Sequence, residues 1–578
     1  MPGKTDKSYK NVTDAEIGTI RKPWKGRIKV ALVYPNVYHV GMSNLGFQTV
    51  YDLLNTLEHV VCERAFLPDE NETTSHRIFS IESGKPISAF DIIAFSVSFE
   101  NDYPNILTII EKSGLPLLSV DRENPHPLVI AGGVVFFSNP EPVAPFIDCF
   151  LIGEAEVILP QFFGTDCLER IAQDKKGCLK TLAQNVPGTY VPQFYTATYY
   201  PDGSLEAFEP VCDVPDRVQR RYLADLNSVS TCSAILTPDT TFENTYLIEV
   251  GRGCSHGCRF CSAGFVYRPP RFRHHSTIDK CLVQGESMTD RIGLVGAAVT
   301  DFPDLNKLCG HAFEKEIRIS FSSLRADALS PELLSILRQS KTKTATIAPD
   351  AGSERMRKVI NKGITEDDII NAAEILVDGG IPNLKLYFMV GLPTEAMDDV
   401  EAIVSLCKKI KHRFLKSSRA RKRIGEITVS LNCFVPKPFT PFQWVAMDEV
   451  QTLKKKIKKD KEGLKRVANV RVHSDVPRWA YIQALLSRGD RKVAQILLLA
   501  NKNSGNWPKT LKESPVNPDF YIYRERAIDE QFPWEFIDNG INKSFLKKEY
   551  ERALQEKTSP PCPMESCHIC GVCDPNFP

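Results

Sequence analysis

The chain has 578 residues, of which 42% are hydrophobic and 25% charged, a composition that excludes wholesale disorder and indicates several globular domains. Its 72 Lys and Arg residues nearly balance 71 Asp and Glu residues, so a net charge of +1 gives no global field that would attract nucleic acid or anionic lipid. The N-terminus lacks the apolar run of a signal peptide, and no apolar stretch is long enough to span a bilayer, so we expect a cytoplasmic protein without membrane insertion. In that reducing compartment the 17 cysteines are not expected to form disulfides.

A polar N-terminal arm, residues 1–25, precedes short apolar runs that alternate with helix-like segments. The runs are Arg27–Tyr34, Phe90–Phe99, Pro127–Ala131 and Cys149–Ile152. This alternation predicts a doubly wound parallel sheet over residues 26–187, in which ligands bind at the carboxyl ends of the strands. The candidate ligand-contacting residues at such ends are Ser96, Ser98, Gly132 and Gly133.

A second β/α series follows a linker with short strands at residues 188–240. Over residues 241–445 the predicted strands are Tyr246–Val250, Ile292–Ala298, Ile317–Phe321, Thr344–Pro349, Asn383–Val390 and Ile427–Asn432. Six such strands with intervening helices predict a partial (β/α)6 barrel, with its reactive groups at the C-terminal ends of the strands. We expect an α-rich region at 446–560 and a cysteine-rich tail at 561–578.

Three cysteines stand directly after the first predicted barrel strand, with the spacing C-x3-C-x2-C. Cys254, Cys258 and Cys261 lie too close together in sequence for inert packing to be the preferred interpretation. A zinc site usually takes four protein ligands, whereas three thiolates leave one corner of a four-iron cluster open. The spacing therefore favours an iron–sulfur cluster over a zinc knuckle or packed core cysteines.

This motif, with Phe260 before its last cysteine, resembles the signature of the radical SAM superfamily. The resemblance implies a [4Fe–4S] cluster that binds S-adenosylmethionine (SAM) and reductively cleaves it to a 5′-deoxyadenosyl radical. It also implies an electron donor such as a flavodoxin or a ferredoxin. The residues expected to contact SAM are Phe260, Arg325, which is suited to a carboxylate, Asp350 and Ser353 after the fourth predicted barrel strand, and Gly391 in the Gly-Leu-Pro-Thr turn.

A flavodoxin-like sheet before such a barrel resembles the largely uncharacterised radical SAM subgroup that carries a cobalamin-binding-like domain. The segments that carry this likeness are Tyr34–Gly46, Ile130–Gly133, Gly153–Glu156, Pro436–Trp444 and Leu486–Asp490. The likeness implies cobalamin near Ser96, Ser98, Gly132 and Gly133, or a domain that keeps the fold without the corrin. The D-x-H-x-x-G motif that supplies a cobalt ligand in many such domains does not occur, although His39 lies in the expected loop.

A second cysteine group lies at the end of the chain, at Cys562, Cys567, Cys570 and Cys573. Four cysteines at this spacing fit either a second iron–sulfur cluster or zinc. Such a centre would relay electrons or hold the tail in place.

Two basic runs, 408–423 and 454–465, suggest either a solvated helix face or a surface that follows the phosphates of RNA. The first run falls between the fifth and sixth predicted barrel strands, where an extended loop would bring it to the mouth of the active site.

Three functions are consistent with these features. The preferred one is a radical SAM enzyme that uses cobalamin to methylate or otherwise modify an unactivated carbon, chemistry that a cofactor must supply. The alternative is a cobalamin-independent, methylthiotransferase-like enzyme that modifies RNA and has an auxiliary C-terminal cluster. The third is a zinc-stabilised, non-catalytic RNA-binding factor.

Overall fold

The computed structural model describes residues 12–69, 77–420, 424–564 and 567–573. Residues 1–11 of the predicted arm, 421–423 of the first basic run, and 565–566 and 574–578 of the tail lie outside these ranges. The described part of the arm packs on the body of the protein. Ile17 pairs with Leu236, and the carboxylate of Glu16 lies 2.7 Å from the buried guanidinium of Arg64.

The N-terminal domain is the predicted doubly wound sheet, with strand order β2-β1-β3-β4-β5-β6. The strands are β1 (Ile28–Val37), β2 (Val60–Leu67), β3 (Ile92–Ser96), β4 (Leu128–Gly132), β5 (Cys149–Leu151) and β6 (Thr189–Tyr190). The helices are α1 (Tyr38–Met42), α2 (Leu45–Thr56), α3 (Tyr103–Lys112), α4 (Ala155–Phe163) and α5 (Lys175–Asn185). All neighbouring strands are parallel except β5 and β6, and the continuous apolar runs are buried on both faces.

Strand β2 is absent from the predicted set because charged residues interrupt its apolar run. Arg64 lies at its centre, fully buried, between the carboxylates of Glu16 and Glu82, which lies 2.6 Å away. A buried strand tolerates such a residue only when its charge is paired. Those partners come from elsewhere in the chain, so the local sequence gives no signal for this strand.

Short strands link the two β/α domains. Strands β7 (Tyr195–Tyr199) and β8 (Leu205–Pro210) form an antiparallel hairpin. Strand β9 (Val218–Gln219) pairs in parallel with the distant β19 (Ile537–Asp538) and so ties the linker to the C-terminal region.

The second domain is an open barrel made of two sheets, β10-β13-β14 and β15-β16-β17-β18, joined by a bridge between Leu324 and Ile347. Its strands are β10 (Tyr246–Glu249), β13 (Arg291–Val295), β14 (Arg318–Phe321), β15 (Thr344–Asp350), β16 (Asn383–Val390), β17 (Ile427–Cys433) and β18 (Val470–Ser474). A small ribbon of β11 (Gly251–Arg252) and β12 (Arg271–Phe272) flanks the cysteine loop. The first six barrel strands match the predicted ones, and β18 adds a parallel strand inside the region predicted to be α-rich.

The helices that surround the barrel alternate with its strands. They are α6 (Ala263–Val266), α7 (His275–Glu286), α8 (Leu305–Glu314), α9 (Pro331–Gln339), α10 (Glu354–Val359), α11 (Glu366–Asp378), α12 (Met397–Ala420) and α13 (Val450–Leu464). The described part of the first basic run belongs to α12. Since α12 returns from the end of β16 to the start of the parallel β17, this run lies toward the N-terminal ends of the strands. The expectation that it borders the mouth of the active site is therefore wrong.

The C-terminal region is helical and packs on both domains. Its elements are α14 (Pro477–Arg488), α15 (Val493–Lys502), α16 (Trp507–Glu513), α17 (Asp519–Ile522), β19 and α18 (Lys543–Leu554). The Asn139 amide of the N-terminal domain donates hydrogen bonds to the carbonyl oxygens of Ser487 and Gly489, at 3.1 and 2.7 Å. Among the described residues, no helix has both the length and the apolar character needed to cross a membrane.

The cysteines depart from the sequence prediction at one pair. Cys167 and Cys178 form a disulfide, so the expectation of no disulfides is wrong for these two residues. The cysteines of both predicted ligand groups are free thiols.

Candidate active site

A cavity of about 610 Å³ lies between the N-terminal sheet and the barrel. Its N-terminal wall consists of the loop 43–46 and the carboxyl ends of β3, β4 and β5. Its opposite wall contains Gly251–Gly253 and Ala263, which stand at the two ends of the loop that carries the three mid-chain cysteines. Both domains therefore present the strand ends at which α/β folds bind ligands to one shared space.

The four residues predicted to contact cobalamin all line this cavity: Ser96, Ser98, Gly132 and Gly133. The hydroxyl of Ser98 accepts a hydrogen bond from the Asn44 amide at 2.9 Å. Gly133 has a φ of +123°, and a Cβ there would lie 2.1 Å from the carbonyl oxygen of Val97, so only glycine fits. His39, predicted to lie in a loop, instead belongs to α1, and its imidazole lies 2.9 Å from the carboxylate of Asp239.

The three mid-chain cysteines lie on the loop between β11 and the start of α6. Cys258 is buried, Cys254 and Cys261 are partly exposed, and the backbone amide of Cys261 donates to the carbonyl oxygen of Cys258 at 3.1 Å. Burial raises the pKa of the Cys258 thiol to about 11, while the neighbouring cations Lys362 and Arg325 act in the opposite direction. These cations favour the thiolate form, which is the form that binds metals.

Polar pairs surround the cysteine loop. The imidazole of His256 lies 2.6 Å from the carboxylate of Asp301. The ammonium group of Lys362 lies 2.5 Å from the carboxylate of Asp350. Burial raises the pKa of Asp350, and the Lys362 charge counteracts this increase. Sequence analysis missed His256, Asp301 and Lys362. Of these three residues, only His256 could have been found from the motif, because it lies between Cys254 and Cys258.

The residues predicted to contact SAM fall into two groups. Arg325 and Asp350 lie close enough to the cysteines to affect the pKa of Cys258, and Phe260 belongs to the loop itself. Asp350 also has a φ of +60°, an uncommon backbone conformation that is often found at functional sites.

Ser353 and Gly391 have roles in the local fold. Ser353 caps α10 and donates a hydrogen bond to Asp399 at 2.6 Å. The backbone amide of Gly391 donates to Glu395 at 2.7 Å. Their contact with SAM stays a prediction.

A buried network of ion pairs joins the two walls of the cavity. Arg252 of the barrel lies 2.8 Å from Glu154 and 2.5 Å from Glu156 of the N-terminal domain. Arg271 lies 2.7 Å from Glu154. Although burial alone would raise the pKa of Glu154, the guanidinium groups of Arg252 and Arg271 lower it overall. The carboxylate of Glu154 is therefore ionised and ties the sheet to the cysteine loop.

The tail cysteines lie on the other side of the same loop. The backbone amide of Cys562 donates to the carbonyl oxygen of Ser255 at 2.7 Å. Cys567 and Cys570 are buried, and Cys562 and Cys573 are partly exposed. In the described part of the chain, no group of three or more His, Cys, Asp or Glu side chains is already arranged to hold a metal ion.

Comparisons with known proteins agree with this architecture. Two family models match the chain, "Radical SAM proteins, N-terminal" over residues 46–192 and "Radical SAM superfamily" over residues 248–407. The chain is 31% identical over 523 residues to "Uncharacterized protein MJ0966" of Methanocaldococcus jannaschii, an alignment that covers 89% of this chain and 98% of that protein. It is 24% identical over 173 residues, 28% of this chain and 37% of the relative, to "Uncharacterized methyltransferase PH0819" of Pyrococcus horikoshii.

Among solved structures, the chain is similar to the radical S-adenosylmethionine methyltransferase TsrM from Kitasatospora setae, whose structure holds cobalamin and a [4Fe–4S] cluster. The TM-score is 0.46 and the sequence identity 13%, with 70% of this chain and 72% of that chain covered.

Proposed function

The chain belongs to the radical SAM superfamily, and from this we propose that Cys254, Cys258 and Cys261 are the ligands of its [4Fe–4S] cluster. The family is one of enzymes that use this cluster and SAM. When both are bound, they supply a 5′-deoxyadenosyl radical that abstracts hydrogen from an unactivated carbon. The observation that supports the ligand assignment is a loop with three free thiols beside the cations Lys362 and Arg325.

The residues of the chain prepare the loop for this cofactor. The loop has no regular structure between β11 and α6, so its thiols can move to the cluster as they lose their protons. The positive charges of Lys362 and Arg325 offset part of the negative charge of three thiolates. The guanidinium of Arg325 already donates to the carboxylate of Asp327 through Nε and Nη2, at 3.0 and 2.6 Å. We propose that the side of the guanidinium that Asp327 does not cover, which includes Nη1, binds the carboxylate of SAM.

We propose that cobalamin binds in the 610 Å³ cavity and that the reaction is a methyl transfer or a related modification of carbon. The cavity is mostly apolar, lies at the strand ends of the N-terminal sheet and contacts the cysteine loop, so a corrin there would lie beside the radical source. Because His39 is not among the residues that line this cavity, we propose that it does not ligate cobalt. The partial similarity to a protein named as a methyltransferase supports this reaction class.

Anaerobic reconstitution with iron, sulfide and hydroxocobalamin tests the cluster first. The Cys258→Ala variant should lose 5′-deoxyadenosine production while its circular dichroism spectrum stays that of the wild type. The buried Cys309 in α8 provides the matched control, and Cys309→Ala should keep the activity. Continued SAM cleavage by Cys258→Ala would contradict the ligand assignment.

Filling the cavity tests the cobalamin proposal. A Cβ at Gly132 would meet only Leu151, at 3.8 and 4.0 Å, so Gly132→Leu extends into the cavity without strain at the backbone. We expect this variant to lose the bound-corrin absorbance and to keep its iron. A Cβ at Gly310 has no neighbour within 4 Å, so Gly310→Leu serves as the control. Equal corrin binding by both variants would place cobalamin elsewhere or exclude it.

We also propose RNA as a partner that binds a basic groove of about 650 Å³ between α13 and β18. The groove carries Lys454, Lys458, Lys461 and Lys465 above an apolar floor. One groove lysine, Lys458, pairs with an acid of α13 at 3.7 Å. Basic residues of α12 such as Lys409 and Arg413 make shorter pairs with acids of α11. In a titration of a fluorescent single-stranded RNA, Lys454→Glu with Lys461→Glu should weaken binding and reduce the salt slope by about 1.4, which is about 0.7 for each lost phosphate contact. Lys408→Glu on α12 should not, and an unchanged slope in the double variant would reject this surface.

Two further proposals concern the cellular setting. We propose that a reduced flavodoxin or ferredoxin supplies the electron. We also propose a cytoplasmic location, in which the thiols of both cysteine groups would stay reduced.

A further inference from the structure

The cysteine tail is attached to the loop that carries the cluster motif by contacts between residues far apart in sequence. Besides the bond from Cys562 to Ser255, the side chain of Asn361 contacts both segments. Its oxygen accepts from the backbone amide of Ser559 at 2.8 Å, and its nitrogen donates to the carbonyl oxygen of Gly257 at 3.1 Å. The tail therefore binds the backbone of the motif itself, at positions between Cys254 and Cys258.

Arg259 strengthens this attachment from inside the motif. It follows Cys258 directly, and its side chain is fully buried. Its guanidinium donates to Glu549 at 3.1 Å, to the carbonyl oxygen of Lys557 at 2.7 Å and to the hydroxyl of Ser559 at 3.2 Å. The same guanidinium also donates to two carbonyl oxygens of α10, at 3.0 and 2.9 Å, and so ties the segment 549–559 to the barrel. Separation would leave a buried charge without part of its partners, so this segment is held in place.

The four tail thiols share one electrostatic environment. Burial raises the pKa of both Cys562 and Cys573, and each is raised further by Cys570 and Cys567 and lowered by the guanidinium of Arg268. Arg268 is itself buried, lies over the rings of Phe265 and Phe545 and so spans the space between α6 and α18. Arg268 is therefore a buried cation that favours the ionised form of the tail thiols.

The backbone around these thiols is held by a hydrogen bond at Cys570, and its other described residues form no helix or strand. The amide of Asn542 donates to the carbonyl oxygen of Cys570 at 2.8 Å, which anchors the middle of the group. Gly571 has a φ of +98°, and a Cβ there would lie 2.8 Å from the carbonyl oxygen of Gly540, so the turn between Cys570 and Cys573 requires glycine. No helix or strand is present in the described residues after α18, so the sulfurs can close around a metal.

We propose that Cys562, Cys567, Cys570 and Cys573 form a second metal centre, held by four thiolates, that is built against the back of the loop carrying Cys254, Cys258 and Cys261. Binding of Zn²⁺, or of a preformed iron–sulfur cluster, replaces four S–H bonds with four metal–sulfur bonds and releases four protons, without oxidation or reduction. The donor set suits zinc or an iron–sulfur cluster, which are alternatives for the same site. Its effect on the first cluster, which rests on the function proposed above, is to hold the loop in the conformation that binds iron and SAM.

Metal counting on the full-length chain tests the site independently of catalysis. Iron, sulfide and zinc are measured after anaerobic purification for wild type, Cys258→Ala, Cys570→Ser and Cys309→Ser. We expect Cys258→Ala to lose the first centre and keep the second, Cys570→Ser to lose the second, and Cys309→Ser to keep both. The metal that Cys258→Ala retains identifies zinc or iron in the tail.

The outcomes separate this proposal from the proposed function. Absence of 5′-deoxyadenosine in the wild type, with tail metal present, would reject the function and leave the second centre standing. Equal metal content in wild type and Cys570→Ser would overturn the second centre. Because Cys570 is buried, the partly exposed Cys573 provides a milder variant, Cys573→Ser, that should also lose the tail metal.

The effect on the loop has its own measurement. With the tail metal bound, amide hydrogen exchange at residues 254–264 should be slower in wild type than in Cys573→Ser. SAM cleavage should fall several-fold in that variant. Identical exchange in the two proteins would show that the centre does not fix the loop.

Discussion

Neutralising Glu154 should weaken the junction between the N-terminal sheet and the barrel by an amount that its contacts allow us to estimate. Its side chain is 2% exposed, and the carboxylate lies 2.8 Å from Arg252 and 2.7 Å from Arg271. It also accepts a hydrogen bond from the backbone amide of Leu223 at 2.9 Å. The Glu154→Gln variant keeps the shape and removes the charge, so two arginines lose a buried partner.

Removing one partner of a buried ion pair typically costs about 3–5 kcal/mol. Since Arg252 keeps Glu156, at 2.5 Å, and Glu249, at 2.8 Å, we expect the low end, about 3 kcal/mol, which is a change of roughly a hundredfold in the equilibrium constant. Urea denaturation at neutral pH measures this loss. The matched control is Glu401→Gln, because Glu401 pairs with Lys459 on the surface with both side chains about half exposed, and such pairs contribute at most about 1 kcal/mol.

The pH dependence provides an independent check. The arginines hold the pKa of Glu154 below its ordinary value of 4.5, so its contribution to stability is present above that pH and is lost as the pH falls through the lower folded value. The difference between wild type and Glu154→Gln should therefore shrink in acid. Equal urea midpoints for Glu154→Gln and Glu401→Gln at neutral pH would refute this reasoning.

Two further predictions concern buried charges elsewhere in the barrel. Asp460 on α13 is fully buried, neither of its carboxylate oxygens has a hydrogen-bond partner among the described residues, and burial, with a smaller effect from Glu395, raises its pKa to about 8. Wild-type stability should therefore fall by up to about 1.4 kcal/mol per unit as the pH rises toward 8, and Asp460→Asn should remove this decline whereas the exposed Asp378→Asn should not. At the cysteine loop, Lys362→Met removes a cation from beside Cys258 and leaves Asp350 unpaired, so less iron should bind on reconstitution than in the exposed control Lys358→Met. The first prediction is contradicted if wild type and Asp460→Asn show the same pH dependence of stability. The second is contradicted if Lys362→Met and Lys358→Met bind the same amount of iron.

Much of the fold could be predicted because its strands are continuous apolar runs buried by helices. Strand β1 shows this pattern plainly, whereas β16 and β17 of the barrel alternate buried with partly exposed residues, which is the other pattern typical of a strand. Strand β18 shows neither pattern, because Val470–Ser474 has the sequence Val-Arg-Val-His-Ser and none of its residues is fully buried at the sheet edge. Its place depends on pairing with β17, which local sequence does not encode.

The residues of the candidate site, too, could be predicted only where their signal is local in sequence. The spacing of Cys254, Cys258 and Cys261 is local, and the glycines at the end of β4 follow from strand ends, so both were predictable. The partners of these residues were not. Arg259 contacts Glu549 across 290 positions of sequence, and Arg252 contacts Glu156 across 96. Such pairings exist only once the domains pack together.

The cysteine loop is held by the N-terminal domain on one side and by the segment before the tail on the other, so its position depends on both. Toward the cavity, Arg252 binds the N-terminal domain through Glu154 and Glu156. Toward the tail, Arg259 binds Glu549 and the residues before Cys562. The two arginines bracket Cys254 and Cys258, so a shift of either the N-terminal domain or the tail must move the backbone that carries the thiols. If the loop transmits such shifts, Glu154→Gln should alter hydrogen exchange at residues 254–264 as the tail variant does, although the two changes lie on opposite sides of the loop.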